Sequence, residues 1–176
     1  MTSLLGKRSS MVLFHNEIGH QSHKVRIVLS EKGITADLEA LDPVNLPKEI
    51  LEVNPKGFLP LLIDRELALY KSQLIVEYLD ERFPHPPLLP VYPVTRANSR
   101  TLMLRIDKEI CPLVDKLSAK DGTDKELLVA KEELLHEISA IAPTFKEFPY
   151  FMSEEFSLAD CYLAPILWRL PSLGIN

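Results

Sequence analysis

His15, His20 and His23 stand close together near the start of the chain, and their type and spacing are the first in the sequence that can do chemistry. His20 and His23 make a His-x-x-His pair, which can clip a metal from one helical turn, but no third ligand of obvious geometry accompanies them. We therefore expect solvated histidines and no metal. Cys111 and Cys161 lie far apart in helical stretches without a C-x-x-C partner, so they read as reduced core thiols. Arg96, Arg100 and Lys108, with Arg105 nearby, place positive charge at roughly i, i+4 spacing, a face that meets solvent or, alternatively, an acidic partner or a phosphorylated effector. The most unusual stretch is "ERFPHPPLLPVYPV", Glu81 to Val94, with five prolines in fourteen residues and a His and a Tyr among them.

These residues need a scaffold, and the patterning supplies one. The chain has 176 residues, 46% apolar and 26% charged, enough for one domain or two small ones. A formal charge of −5 argues against a protein that grips phosphate backbones, so no direct sequence-specific DNA contact is expected. No apolar run is long enough to span a bilayer and no signal-peptide core opens the chain, which points to a cytoplasmic protein that does not enter membranes.

Residues 1–10 read as a loose tail, "MVLFH" (11–15) as a buried strand, and Ser22 to Lys32 as a helix capped by Ser22 and stopped by Gly33. "ADLEAL" (36–41) reads as a second strand, completing a βαβ unit. Leu59–Ile63 and Leu67–Tyr70, joined by Asp64, Arg65 and Glu66, predict a hairpin, and Ser72 caps a further helix that Pro84 ends. Beyond the prolines the signals are all helical. Residues 95–117 are periodic, Thr123 with Glu126 makes one capping box, and Ser157 with Asp160 makes another.

A βαβ-ββα unit with a Pro at the head of its third strand, followed by a helical unit, resembles the glutathione transferase superfamily. The stretches that carry the resemblance are "HKVRIVLSEKG", "NPKGFLPLLIDRELALYKS" and "FSLADCYLAPIL". Within that superfamily, "YLDERFPHPPLLPVYPV" and "FSLADCYLAPILWRLPSLGI" are similar to the bacterial stringent starvation protein A family. The resemblance implies an α/β plus all-α fold: a thioredoxin-like domain over 11–84, a proline-rich exposed segment over 85–94 and a helical domain over 95–176. It also implies a helical domain cut short at its C-terminal end. By the same resemblance the protein associates with RNA polymerase holoenzyme, including its sigma factor, alters transcription in starvation and stress, and forms a homodimer or a heterodimer with a paralogue.

Transferases of this fold activate the glutathione thiol with a hydroxyl or thiol side chain, because the thiolate is the nucleophile. The matching stretch "GHQSHKVR" puts that position on Gly19, which has no side chain to offer. Ser22 or His20 can substitute in principle, although Ser22 reads as the helix cap. The pocket beside it would be built from Leu59, Pro60, Lys71 and Ser72, with Leu59–Pro60 a candidate cis bond. Lys71 stands where an acceptor would meet the ligand's ammonium. We therefore expect a vestigial groove, no catalytic residue and no cofactor. The runner-up is a glutathione-dependent transferase with an atypical donor, and a small-molecule sensor is a third class.

Proline fixes φ and extends the residue before it, so the Glu81–Val94 stretch is expected to follow a polyproline-like path. A pre-ordered segment loses little entropy on binding. The plainer reading is that the prolines end one helix and space two domains. The resemblance assigns Pro84, His85, Pro86, Pro87 and Tyr92 as the contact with RNA polymerase.

Overall fold

The structure, a computed structural model, describes residues 11–175. The tail expected over residues 1–10 lies outside the described residues. Internal contacts divide the chain after Pro86 into two units.

The N-terminal unit is built on a four-stranded mixed sheet in the order β2-β1-β3-β4. Strands β1 (Val12–His15) and β2 (Asp37–Ala40) run parallel, joined through α1 (His20–Glu31) as the βαβ pattern requires. Strands β3 (Leu61–Asp64) and β4 (Leu67–Tyr70) form the hairpin, with Asp64 paired to Leu67 so that only Arg65 and Glu66 make the turn. β1 pairs antiparallel with β3, Phe14 opposite Leu61 and Val12 opposite Ile63. Pleating sends alternate residues to opposite faces. Val12, Phe14, Leu61 and Ile63 therefore share one face, where Ile50 completes a buried cluster bordered by Leu46, Val53 and Tyr70. Each such side chain withdrawn from water stabilises the fold by roughly 1.5–3 kcal/mol. Leu13 and Leu62 point the other way and are fully buried, and the buried apolar residues of α1 and α3 (Ser72–Arg82) serve that face.

Ile50 belongs to α2 (Lys48–Val53), a helix the sequence pattern did not announce. Six residues with one buried position are too few to display a helical period. Two capping expectations also fail. Ser22 is not the cap of α1: the helix starts two residues earlier, Gly19 is its N-cap, and Ser22 lies inside it, buried, its Oγ accepting from the Asn16 amide at 3.0 Å. Ser72 is not the cap of α3 either; Lys71 occupies that position and the Ser72 hydroxyl donates to Gln21 Oε1. A local rule favours serine at caps, and in both cases a tertiary partner claimed the hydroxyl first.

The second unit is all helical: α4 (Pro93–Arg105), a π-helical turn (Ile106–Ile110), α5 (Cys111–Ala119), α6 (Asp124–Ile141), α7 (Thr144–Glu147), α8 (Leu158–Leu167) and a closing 3₁₀ turn (Leu170–Leu173). The periodic stretch 95–117 is thus two helices with a wider turn between them. Pro112 has no amide to donate, and the π turn just before it absorbs the irregularity. α5 packs on α6 and α4 on α8. Both capping boxes form. Thr123 Oγ1 accepts from the Glu126 amide while Glu126 Oε2 accepts from the Thr123 amide. Asp160 goes further: Oδ2 takes the Ser157 amide and hydroxyl, and Oδ1 takes the buried Phe151 amide at 2.8 Å. Cys111 and Cys161 are buried and not joined in a disulfide, as expected.

Candidate functional site

The residues expected to line a groove beside Pro60 lie together in the N-terminal unit, Pro60 just before β3 and Lys71 just after β4, with Leu61 paired to Tyr70. Leu59–Pro60 is cis, and Pro60 is buried at the head of β3. The loop before it is pinned by Asn54, fully buried, whose Nδ2 donates to the Phe58 carbonyl at 2.6 Å and whose Oδ1 accepts from the Phe58 amide. Gly57 makes this loop possible, since its φ is +64° and a Cβ there would meet Leu46 at 2.9 Å. Lys71 has φ +94°, which few non-glycine residues adopt. Its ammonium lies over the Phe58 ring, 4.6 Å from the centroid, rather than standing free at the position of a ligand's ammonium. Ser72, the residue left to hold a carboxylate, has its hydroxyl engaged by Gln21.

Along the entry to α1, Gly19 sits at the N-cap with φ −71°, an ordinary extended residue with no group to donate. Ser22 is 1% exposed and His20 5% exposed. Both of the residues that could substitute for a hydroxyl at Gly19 are thus withdrawn from solvent. His15 and His20 are not solvated as the sequence suggested, and His23 is half-buried. His15 ends a buried strand and its Nδ1 accepts from Arg26 Nη1 at 3.0 Å, while His20 turns inward from the first position of α1. Burial first, then the Arg26 guanidinium, holds the His15 imidazole below its ordinary value. Arg26 also donates to the Asn16 and Glu17 carbonyls, fixing the loop between β1 and α1. Among the described residues no three His, Cys, Asp or Glu side chains gather as a metal site.

The proline-rich stretch departs from a continuous polyproline path. His85–Pro86 is cis, Leu88 and Leu89 are buried, the Leu88 carbonyl accepts from the Leu158 amide, and Pro93 already opens α4 with Tyr92 as its N-cap. Pro at the first helical position is favoured because it lacks the amide that would go unpaired there. Pro84, His85, Pro86 and Pro87 are nonetheless exposed, and Tyr92 keeps 77% of its surface. The basic stripe on α4 is partly spoken for. Arg105 pairs with Glu109 and Glu137, at 2.7 and 2.9 Å, and Arg96 donates to the Pro90 carbonyl. Lys108 falls in the π turn, out of register with the α4 arginines.

Comparison with known proteins places this geometry. Residues 13–87 match the glutathione S-transferase N-terminal domain and residues 101–176 the glutathione S-transferase C-terminal domain. Over all of this chain and 82% of the relative, it is 54% identical to the stringent starvation protein A homolog of Pasteurella multocida; the corresponding figure for the homolog of Haemophilus influenzae is 50%. The chain belongs to the stringent starvation protein A family. The solved glutathione transferase Omega 3C of Trametes versicolor superposes with a TM-score of 0.83 at 26% identity, covering 96% of this chain and 76% of that one. The stringent starvation protein A family thus shares its fold with catalysts, and the thioredoxin-like and helical expectation holds. No helix among the described residues is long and apolar enough to cross a membrane.

In this member of the family, sequence reasoning placed Leu59, Pro60 and Lys71 at the groove and the exposed prolines at the surface. It missed Asn54, Arg26 and Gln21, whose roles depend on partners distant in sequence or on loop shape. An isolated Asn between Val and Pro carried no signal beyond that of a turn residue.

Proposed function

We propose that this chain is a non-catalytic adaptor that docks on RNA polymerase holoenzyme, its sigma factor included, and alters transcription during starvation or stress. Pro84, His85 and Pro86 form the core of the contact, with Pro87 and Tyr92 as further contact residues. The protein works in the cytoplasm as a homodimer or as a heterodimer with a paralogue, and leaves DNA to its partner, in keeping with a formal charge of −5. The resemblance to the stringent starvation protein A family supplies the partner.

The observation that carries the reading is a contrast between two places in the N-terminal unit. Where a transferase needs a hydroxyl, Gly19 offers none, and the nearby Ser22 and His20 are buried. Where a catalyst needs nothing, Pro84, His85 and Pro86 are exposed together. Ring-fixed prolines and a single imidazole order cheaply, whereas immobilising flexible side chains costs about 0.5–1.5 kcal/mol each. Replacing Pro84, His85 and Pro86 with Ala strips three exposed side chains and leaves the buried apolar residues unchanged. The triple variant is expected to lose co-purification with polymerase while melting at nearly the wild-type temperature. Retained co-purification contradicts the assignment.

A further inference from the structure

Lys32 closes α1 as its C-cap residue and has no exposed side-chain surface. Its ammonium meets three acceptors: Asp80 Oδ1 at 2.8 Å, the Phe83 carbonyl at 2.6 Å and the Pro86 carbonyl at 2.6 Å. An ammonium has three protons to donate and no lone pair, so these partners saturate it. Burying such a charge is tolerated only when it is paired and fully hydrogen-bonded. The node is therefore a committed part of the fold, unlike the exposed pair of Arg105 with Glu109.

Its placement gives it a consequence. The two backbone acceptors, Phe83 and Pro86, bracket Pro84 and His85. Prolines at 84, 86 and 87 carry no amide, so His85 has the sole backbone donor between Phe83 and Leu88. A turn this poor in donors cannot close itself with a ladder of backbone bonds. The Lys32 ammonium takes over that task from the side, and Asp80, on the last turns of α3, holds the ammonium in place.

We propose that Lys32 is a positioning residue for the docking turn, setting the shape in which Pro84, His85 and Pro86 meet their partner. The proposal rests on the docking reading above. Lys32→Met keeps the apolar stem and removes the donors. Lys32→Met/Asp80→Asn also neutralises the carboxylate that the ammonium meets.

Hydrogen–deuterium exchange of the intact protein reads the shape directly. Peptides over residues 81–88 should exchange about ten-fold faster or more in both variants, with β1 at the wild-type rate. Titration of RNA polymerase holoenzyme should show affinity reduced about ten-fold or more in the same proteins. Wild-type exchange over 81–88 overturns the proposal, as does acceleration spread equally through β1, which marks general destabilisation. Wild-type affinity in the Lys32 variants, where the triple-alanine variant fails to bind, overturns the positioning role and spares the docking reading. Wild-type affinity in the triple-alanine variant strikes the docking reading itself and removes the functional half of this proposal, whatever the exchange data show.

Discussion

The non-catalytic reading proposed above turns on Gly19, which carries no side chain at the N-cap of α1. The neighbouring polar residues do not supply one, because their groups are spent inside the fold: Ser22 Oγ on the Asn16 amide and Ser72 Oγ on Gln21. Glutathione with an aryl halide should therefore be consumed at the uncatalysed rate, followed by absorbance of the conjugate; clear turnover contradicts the non-catalytic reading. His15 gives a second prediction at this scale. Burial and Arg26 keep its native-state affinity for protons below that of the unfolded chain, whose imidazole titrates near about 6.5. Below that pH the unfolded state binds more protons, so stability is lost as the pH falls from about 6.5 toward the lowered native value. The urea midpoint of His15→Asn should decline less steeply than wild type between about pH 7 and 5.5; equal slopes contradict the assignment. The types of these residues were legible in the sequence. Their partners were not, since a serine at the head of a helical run reads as a cap until the fold shows who else can use its oxygen.

Among the elements, those carrying their own punctuation were read well. β1, the β3–β4 hairpin and the starts of α6 and α8 follow from short apolar runs, turn residues and the boxes Thr123–Glu126 and Ser157–Asp160. α2 and the π turn were not legible, because a six-residue helix shows no period and a one-residue widening leaves the apolar positions almost in place. The two boxes differ in weight. Glu126 is exposed and its hydrogen bonds stay at Thr123 of its own cap, while Asp160 is buried and also ties the Phe151 amide. Asp160→Ala leaves three donors without their acceptor, two of them backbone amides, and should lower stability by about 2–4 kcal/mol. Thr123→Ala should cost less, about 1 kcal/mol. Denaturant unfolding of the two variants checks the order, and equal losses contradict the role given to the Phe151 bond.

For the molecule as a whole, the order of a sheet unit and a helical unit was readable from period and punctuation, and membership of the glutathione transferase superfamily from three short stretches. The shape of the proline-rich stretch was not, because no local rule announces the cis His85–Pro86 bond or a buried lysine 54 residues before Pro86. What unites the two scales below is a contrast inside one unit: Lys71 and Ser72 are engaged by Phe58 and Gln21, while Pro84, His85 and Pro86 lie exposed. The measurement that separates these most directly is an equilibrium titration of RNA polymerase holoenzyme with the wild type, the Pro84→Ala/His85→Ala/Pro86→Ala variant and the groove variant Lys71→Glu. The account predicts wild-type affinity for the groove variant and at least about ten-fold weaker binding for the turn variant. Undiminished binding by the turn variant, or loss confined to the groove variant, contradicts it.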